Sequence, residues 1–158
     1  MTYEQALNRI AAYCSRGERA PQDVEQKLRD WELADEEVER IMQRLRDEHF
    51  LDEARFVHAF VNDKFTYERW GRVKITYGLR QKGITGTLVQ NTLADVIDDE
   101  AYLATLVELL RGKMRGMKTP LATPDRAKLY RFAAQRGFES SAIGQALNRL
   151  NVADEDDL

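Results

Sequence analysis

One spacing recurs three times along this chain and constrains its fold more than any other feature. Val24, Leu28, Leu33, Val38 and Met42 are matched, at a constant offset, by Ile75, Leu79, Ile84, Val89 and Leu93. A second constant offset leads to Leu129, Ala133, Phe138, Ile143 and Leu147. Every one of these positions is apolar, and the match holds across a turn as well as along a helix. What repeats is therefore a whole helical unit of about 50 residues. A unit that small buries only a modest core, and stacked neighbours help to stabilise it. The pattern predicts an all-α chain built from three tandem three-helix repeats in an elongated, curved array. The repeats are placed at 1–51, 52–98 and 99–151, followed by an acidic tail at 152–158. Gly83 and Gly137 occupy matching positions, whereas Glu32 stands there in the first unit. Glycine at such a point supplies the left-handed residue that closes a helix. The first unit is therefore expected to close its turn differently.

No convincing run of alternating β-branched residues bounded by turn dipeptides occurs. Val38, Ile41, Met42 and Leu45 fall at helical spacing and form one apolar stripe, and Phe56, Val57, Phe60 and Val61 repeat it. Nine helices are predicted, at roughly 3–16, 21–31, 35–49, 52–66, 70–82, 86–97, 99–115, 124–136 and 140–150. Thr123-Pro124-Asp125 reads as a capping hydroxyl, a proline at the first helical position and a carboxylate at the positive helix end. Asp52 and Ser140 read as caps for the same reason.

Charge is unevenly distributed. The chain of 158 residues carries a formal net charge of −3, and its sequence pI of 5.5 argues against indiscriminate coating of a polyanion. That average conceals two basic segments beside an acidic first unit. Residues 62–93 hold Lys64, Arg69, Arg72, Lys74, Arg80 and Lys82 against Asp63 and Glu68. Residues 109–137 hold Arg111, Lys113, Arg115, Lys118, Arg126, Lys128, Arg131 and Arg136 against Asp125 alone. The stretch 111–123 is rich in Gly, Lys and Arg and is expected to be partly mobile, ordering on a partner. No stretch approaches the ~20 apolar residues of a membrane helix, and the N-terminus lacks a signal-peptide pattern. A soluble, cytoplasmic chain is expected.

Enzyme and metal chemistry find little support. His49 and His58 lie nine residues apart, across a predicted helix break, rather than on one helical face. Gly112 and Gly116 lack the Gly-Lys-Ser/Thr of a phosphate loop. Asp35-Glu36-Glu37 sits where helix capping explains it. The single Cys14 falls on an apolar face, as a core residue would. Trp70 is expected to pack between the first and second units, although Tyr67 and Trp70 among basic residues also have the chemistry to stack on bases. Gly71 reads as a cap or a close-approach position.

Several residues together carry a family likeness. The second unit has Leu51-Asp52, Arg55-Phe56, Phe60-Val61, Gly71-Arg72, Leu79 and Lys82-Gly83-Ile84. The first has Ala6-Leu7, Tyr13, Arg16, Arg19, Val24 and Lys27-Leu28. The third has Lys128, Phe132, Arg136-Gly137-Phe138, Ile143 and Leu147. In order and spacing, over about 4–150, the chain resembles the RecX family of bacterial recombinase regulators. The resemblance implies a non-enzymatic protein without cofactor, built from three tandem three-helix repeats. It implies binding along the RecA–DNA filament, with restraint of its assembly, ATPase, strand exchange and co-protease role in the SOS response. The contact residues expected on that basis are Lys64, Arg69, Arg72, Lys74, Arg80 and Lys82 in the second unit. Arg115, Lys118, Arg126, Lys128, Arg131 and Arg136 are expected in the third. The chain is expected to act as a monomer, with single- or double-stranded DNA as a further partner. The alternatives are a helical DNA-binding module acting directly on nucleic acid and an unrelated helical scaffold.

Overall fold

Each apolar stripe in the sequence forms a helix in the computed structural model, which describes residues 1–156. Nine helices run in order among the described residues: α1 Tyr3–Ser15, α2 Pro21–Asp30, α3 Asp35–Asp47, α4 Glu53–Thr66, α5 Arg72–Gln81, α6 Thr87–Val96, α7 Asp99–Lys113, α8 Thr123–Gln135 and α9 Ser140–Asp156. They pack in threes, α1–α3, α4–α6 and α7–α9. None is long and apolar enough to cross a membrane. The α9 backbone continues to Asp156. The side chains from 152 onward, with Asp157 and Leu158 altogether, lie outside the described residues, and the expected acidic tail lies there with them.

Local chemistry sets the helix starts. Thr2 caps α1 in a reciprocal capping box with Gln5. The Asp52 carboxylate accepts from Arg55 N–H at 3.0 Å, as its position predicts, and Asp98 caps α7 in the same way. Two expected caps shift by one residue. Ala122 is the N-cap of α8, so Thr123 is already helical and Pro124 follows inside the first turn. Proline is tolerated there because the first N–H groups of a helix have no internal partner. Ser140 is likewise the first helical residue of α9 rather than its cap.

The turn of the first unit closes as its siblings do, against expectation. Glu32 adopts φ 60°, matching Gly83 at 76° and Gly137 at 93°. Their amides donate to the equivalent carbonyls of Arg29, Arg80 and Ala134. The repeated helix–turn–helix demands a left-handed residue at this point, and the fold imposes it on a glutamate.

Burial divides the molecule in two. Ala6, Leu7, Ile10, Val24, Leu28, Val38, Ile41 and Leu45 form a core belonging to the first unit alone, with Cys14 packed in it. The second and third units share one continuous core, which runs from Val57, Ile75 and Leu79 through Tyr102 and Leu106 to Phe138, Ile143 and Leu147. From the first unit only Ala20 joins it. The segment after α7 is pinned rather than loose. Met114, Met117 and Leu121 pack against the shared core, and Leu121 N–H donates to Asn151 Oδ1 at 3.4 Å. Apolar residues interleaved among the basic ones anchor the stretch that composition alone marks as mobile.

Candidate partner-binding surface

The expected contact cations divide by what surrounds them. Arg72, Lys82 and Arg136 are engaged within the molecule. Arg72 lies at the junction of the second and third units, with its guanidinium bonded to Asp99 Oδ1 at 2.6 Å and to Glu139 Oε2 at 3.2 Å. Burial alone would lower its pKa, but the hydrogen bonds to Glu139 and Asp99 outweigh that and raise it, so it stays charged. The Tyr102 hydroxyl joins the same cluster, accepting from Arg72 N–H at 2.9 Å and donating to Glu139. Burial, reinforced by the Glu139 bond, pushes the Tyr102 phenol well above its ordinary value. Lys82 Nζ bridges to Asp23 Oδ2 at 2.8 Å and ties the second unit to the first. Arg136 donates to the Glu68 carbonyl at 3.2 Å.

Beside that cluster the chain passes unusually close to itself. Gly71 N–H donates to Arg136 O at 2.8 Å, and Val73 N–H to Gly137 O at 2.9 Å. A Cβ at Gly71 would collide with the Gly137 backbone, and one at Gly137 with Lys74. Gly71 is thus both the N-cap of α5 and a close-approach residue.

Lys64 and Lys74 meet at a different point. Their ammonium groups lie 4.7 Å and 4.6 Å from the Trp70 ring centroid. Trp70 packs edge-on against Phe60 of its own unit, at 6.4 Å, and against Gly78, rather than between the first and second units. The small Gly78 leaves room for the Phe60 ring on the α5 face, and the indole lies edge-on to that ring. Tyr67 is 77% exposed close by.

The remaining cations have no counter-ion among the described residues, although Arg126 donates to Asn148 Oδ1 at 3.3 Å. Among the described residues none of Arg69, Arg80, Arg115, Lys118, Arg126, Lys128 and Arg131 forms an ion pair. Arg80 borders a groove between α5 and α6, while Arg126 and Arg131 border one between α8 and α9. Lys128 and Arg131 also flank a cleft beside Met117 and Phe132. Arg69, Arg115 and Lys118 stand outside these groupings and are exposed.

Sequence reasoning about charge missed the apolar part of this surface. Val73, Tyr77 and Tyr130 are exposed at 56%, 60% and 40%, and each lies in one of the two grooves. The signal available was a large side chain on a helix face off the apolar stripe.

Three three-helix units in tandem, with largely unpaired cations dispersed over the second and third, define a helical-repeat protein. Family models match two of the units: "RecX, second three-helix domain" over 52–93 and "RecX, third three-helix domain" over 99–147. A protein of Herbaspirillum seropedicae named Regulatory protein RecX is 30% identical, covering 94% of this chain and 92% of its own. One of the same name from Prosthecochloris aestuarii is 29% identical, over 92% and 93%. The crystal structure of RecX from Lactobacillus salivarius superposes with a TM-score of 0.86 at 19% identity, over 95% and 97%, and shows the same fold. The chain belongs to the RecX family, whose members among these relatives are named as regulatory proteins.

Proposed function

We propose that this chain acts in the cytoplasm as a non-enzymatic regulator that binds the RecA–DNA filament and restrains its assembly and activity. The observation that carries this reading is the set of unpaired cations spread over two units held rigidly in series. A single chain presenting such a surface meets successive protomers of an acidic polymer, and the contacts reinforce each other through effective concentration. The charge raises the rate of encounter more than the affinity. The test is RecA ATPase on single-stranded DNA with and without the protein, at low and moderate salt. Inhibition at stoichiometric amounts is expected, and its absence under both conditions overturns the reading. Reversing Arg126, Lys128 and Arg131 together should relieve inhibition about tenfold or more. Equal inhibition by that variant shows the cluster to be a solvated face.

A second reading, direct binding to DNA, is favoured by Trp70 between Lys64 and Lys74 with the exposed Tyr67 beside it. It predicts measurable affinity for bare DNA with a steep dependence on salt. A gel shift with and without RecA separates the two.

A further inference from the structure

The sequence repeat produces a repeated surface. In each unit a groove opens between the second and third helices, of about 460 Å³ in the first unit, 580 Å³ in the second and 480 Å³ in the third. The second and third grooves are lined at matching positions, although the tyrosine and the open arginine fall at different ones in each. Val73, Thr76, Tyr77 and Leu93 line one, and Ala127, Tyr130, Arg131 and Leu147 stand at the matching places in the other. Each groove has an aliphatic floor, one exposed tyrosine and at least one arginine without an ion pair. Among the described residues the third is lined by no acidic side chain. In the second, Asp99 and Glu139 are both engaged by Arg72, which leaves Arg80 open. The first unit differs, because Glu25 and Glu39 replace Thr76 and Gln90.

We infer that the grooves of the second and third units are twin docking sites for one kind of occupant, an acidic amphipathic protein segment that a polymeric partner presents once per protomer. The inference rests on the filament reading above and specifies how the filament is held. Exposed apolar side chains rimmed by charge mark a docking surface, and a helix–helix groove takes an amphipathic segment through spaced apolar anchors. Unpaired arginines over an apolar floor select acidic side chains beside those anchors. Two grooves in one register recognise the same element twice, and only a partner made of repeated copies offers it twice. The first groove, whose Glu25 and Glu39 stand beside Arg40 and Arg46, has among the described residues no exposed tyrosine to anchor the same segment.

The experiment measures equilibrium binding of full-length protein to RecA filaments on single-stranded DNA, and separately to the bare DNA. One variant carries Val73→Asp and Tyr77→Asp, a second carries Tyr130→Asp and Arg131→Glu, and a third combines all four. These positions are exposed or border solvent, and helical circular dichroism with melting checks that each variant folds. Each groove variant should weaken filament binding about tenfold, and the combined variant about a hundredfold, with bare-DNA binding unchanged. Arg46→Glu in the first groove should leave filament binding as it was. If the wild type fails to bind filaments, the filament reading itself falls and takes this inference with it. If the wild type binds and the groove variants bind equally well, the docking inference alone falls. It also falls if bare-DNA affinity drops by the same factor, since the grooves then hold nucleic acid. An equal loss in Arg46→Glu overturns it as well, by reducing the effect to general charge.

Discussion

Glu32 shows what the repeat demands of one residue. A non-glycine side chain in the left-handed region costs about 1–2 kcal/mol, and Glu32 sits there at φ 60° on an exposed turn. Glu32→Gly should raise stability by about 0.5–1 kcal/mol, less than the full strain because glycine also loosens the unfolded chain. The shift of the urea midpoint at constant slope measures it. Tyr102 poses a different residue-scale question. Its ordinary value is 10.0, and burial with the Glu139 bond holds the folded phenol above that. The unfolded state therefore loses this proton first. The stabilisation is complete below pH ~10 and declines as pH rises from there toward the folded value. Tyr102→Phe leaves Arg72 N–H and part of Glu139 without a partner and should cost about 1–3 kcal/mol near neutrality. The difference between variant and wild type should stay constant up to pH ~10 and narrow as pH rises above it. A pH-independent difference in urea unfolding would show that the hydroxyl contributes only packing.

At the scale of elements, the helices are legible in sequence because their determinants are local. Val38, Ile41, Met42 and Leu45 lie within one turn or two of each other, and all four are buried in α3. The junctions are not local. Arg72 meets Glu139 across 67 positions and Asp99 across 27, so no spacing rule brings them together. The same limit explains why charge patterning marked Arg72, Lys82 and Arg136 as contact residues without revealing their internal partners. Trp70 was misplaced for a related reason, since its edge-on partner Phe60 comes from α4 and fills the space that Gly78 leaves on α5. The meeting of α5 with the turn after α8 depends on two glycines in the same way. Gly71→Ala places a methyl against the Gly137 backbone, which is not the flexible end of a side chain. It should destabilise by about 2 kcal/mol or more, within the range for overpacking and lost hydrogen bonds. Gly17→Ala, which meets nothing within 4 Å, is the matched control and should be near neutral in thermal unfolding.

For the whole molecule, the asymmetry of its two junctions sets how it moves. The second and third units share an aromatic contact, Tyr102 of the third lying 5.8 Å from Phe65 of the second, as well as backbone hydrogen bonds. The first joins the second through Ala20 and polar links: Arg55–Glu18 at 2.5 Å, Lys82–Asp23 at 2.8 Å and Gln22 to Gln81 O at 3.3 Å. Partly exposed ion pairs of this kind contribute about 0–1 kcal/mol each and are screened by salt. A shared apolar core is not screened. The first unit should therefore uncouple as a body while the other two stay joined, and it should do so more readily as salt rises. The two tryptophans report on the two sides, Trp31 against the first core and Trp70 within the second unit. Trp70→Phe and Trp31→Phe leave one reporter each for fluorescence during urea unfolding. The two midpoints should differ, with a gap that widens between ~0.05 and ~1 M salt. Coincident transitions at both salts would mean that Ala20 and its neighbours bind the three units into one cooperative fold. If the first unit uncouples in this way, the grooves of the second and third units keep a fixed separation while the acidic first unit moves independently of them.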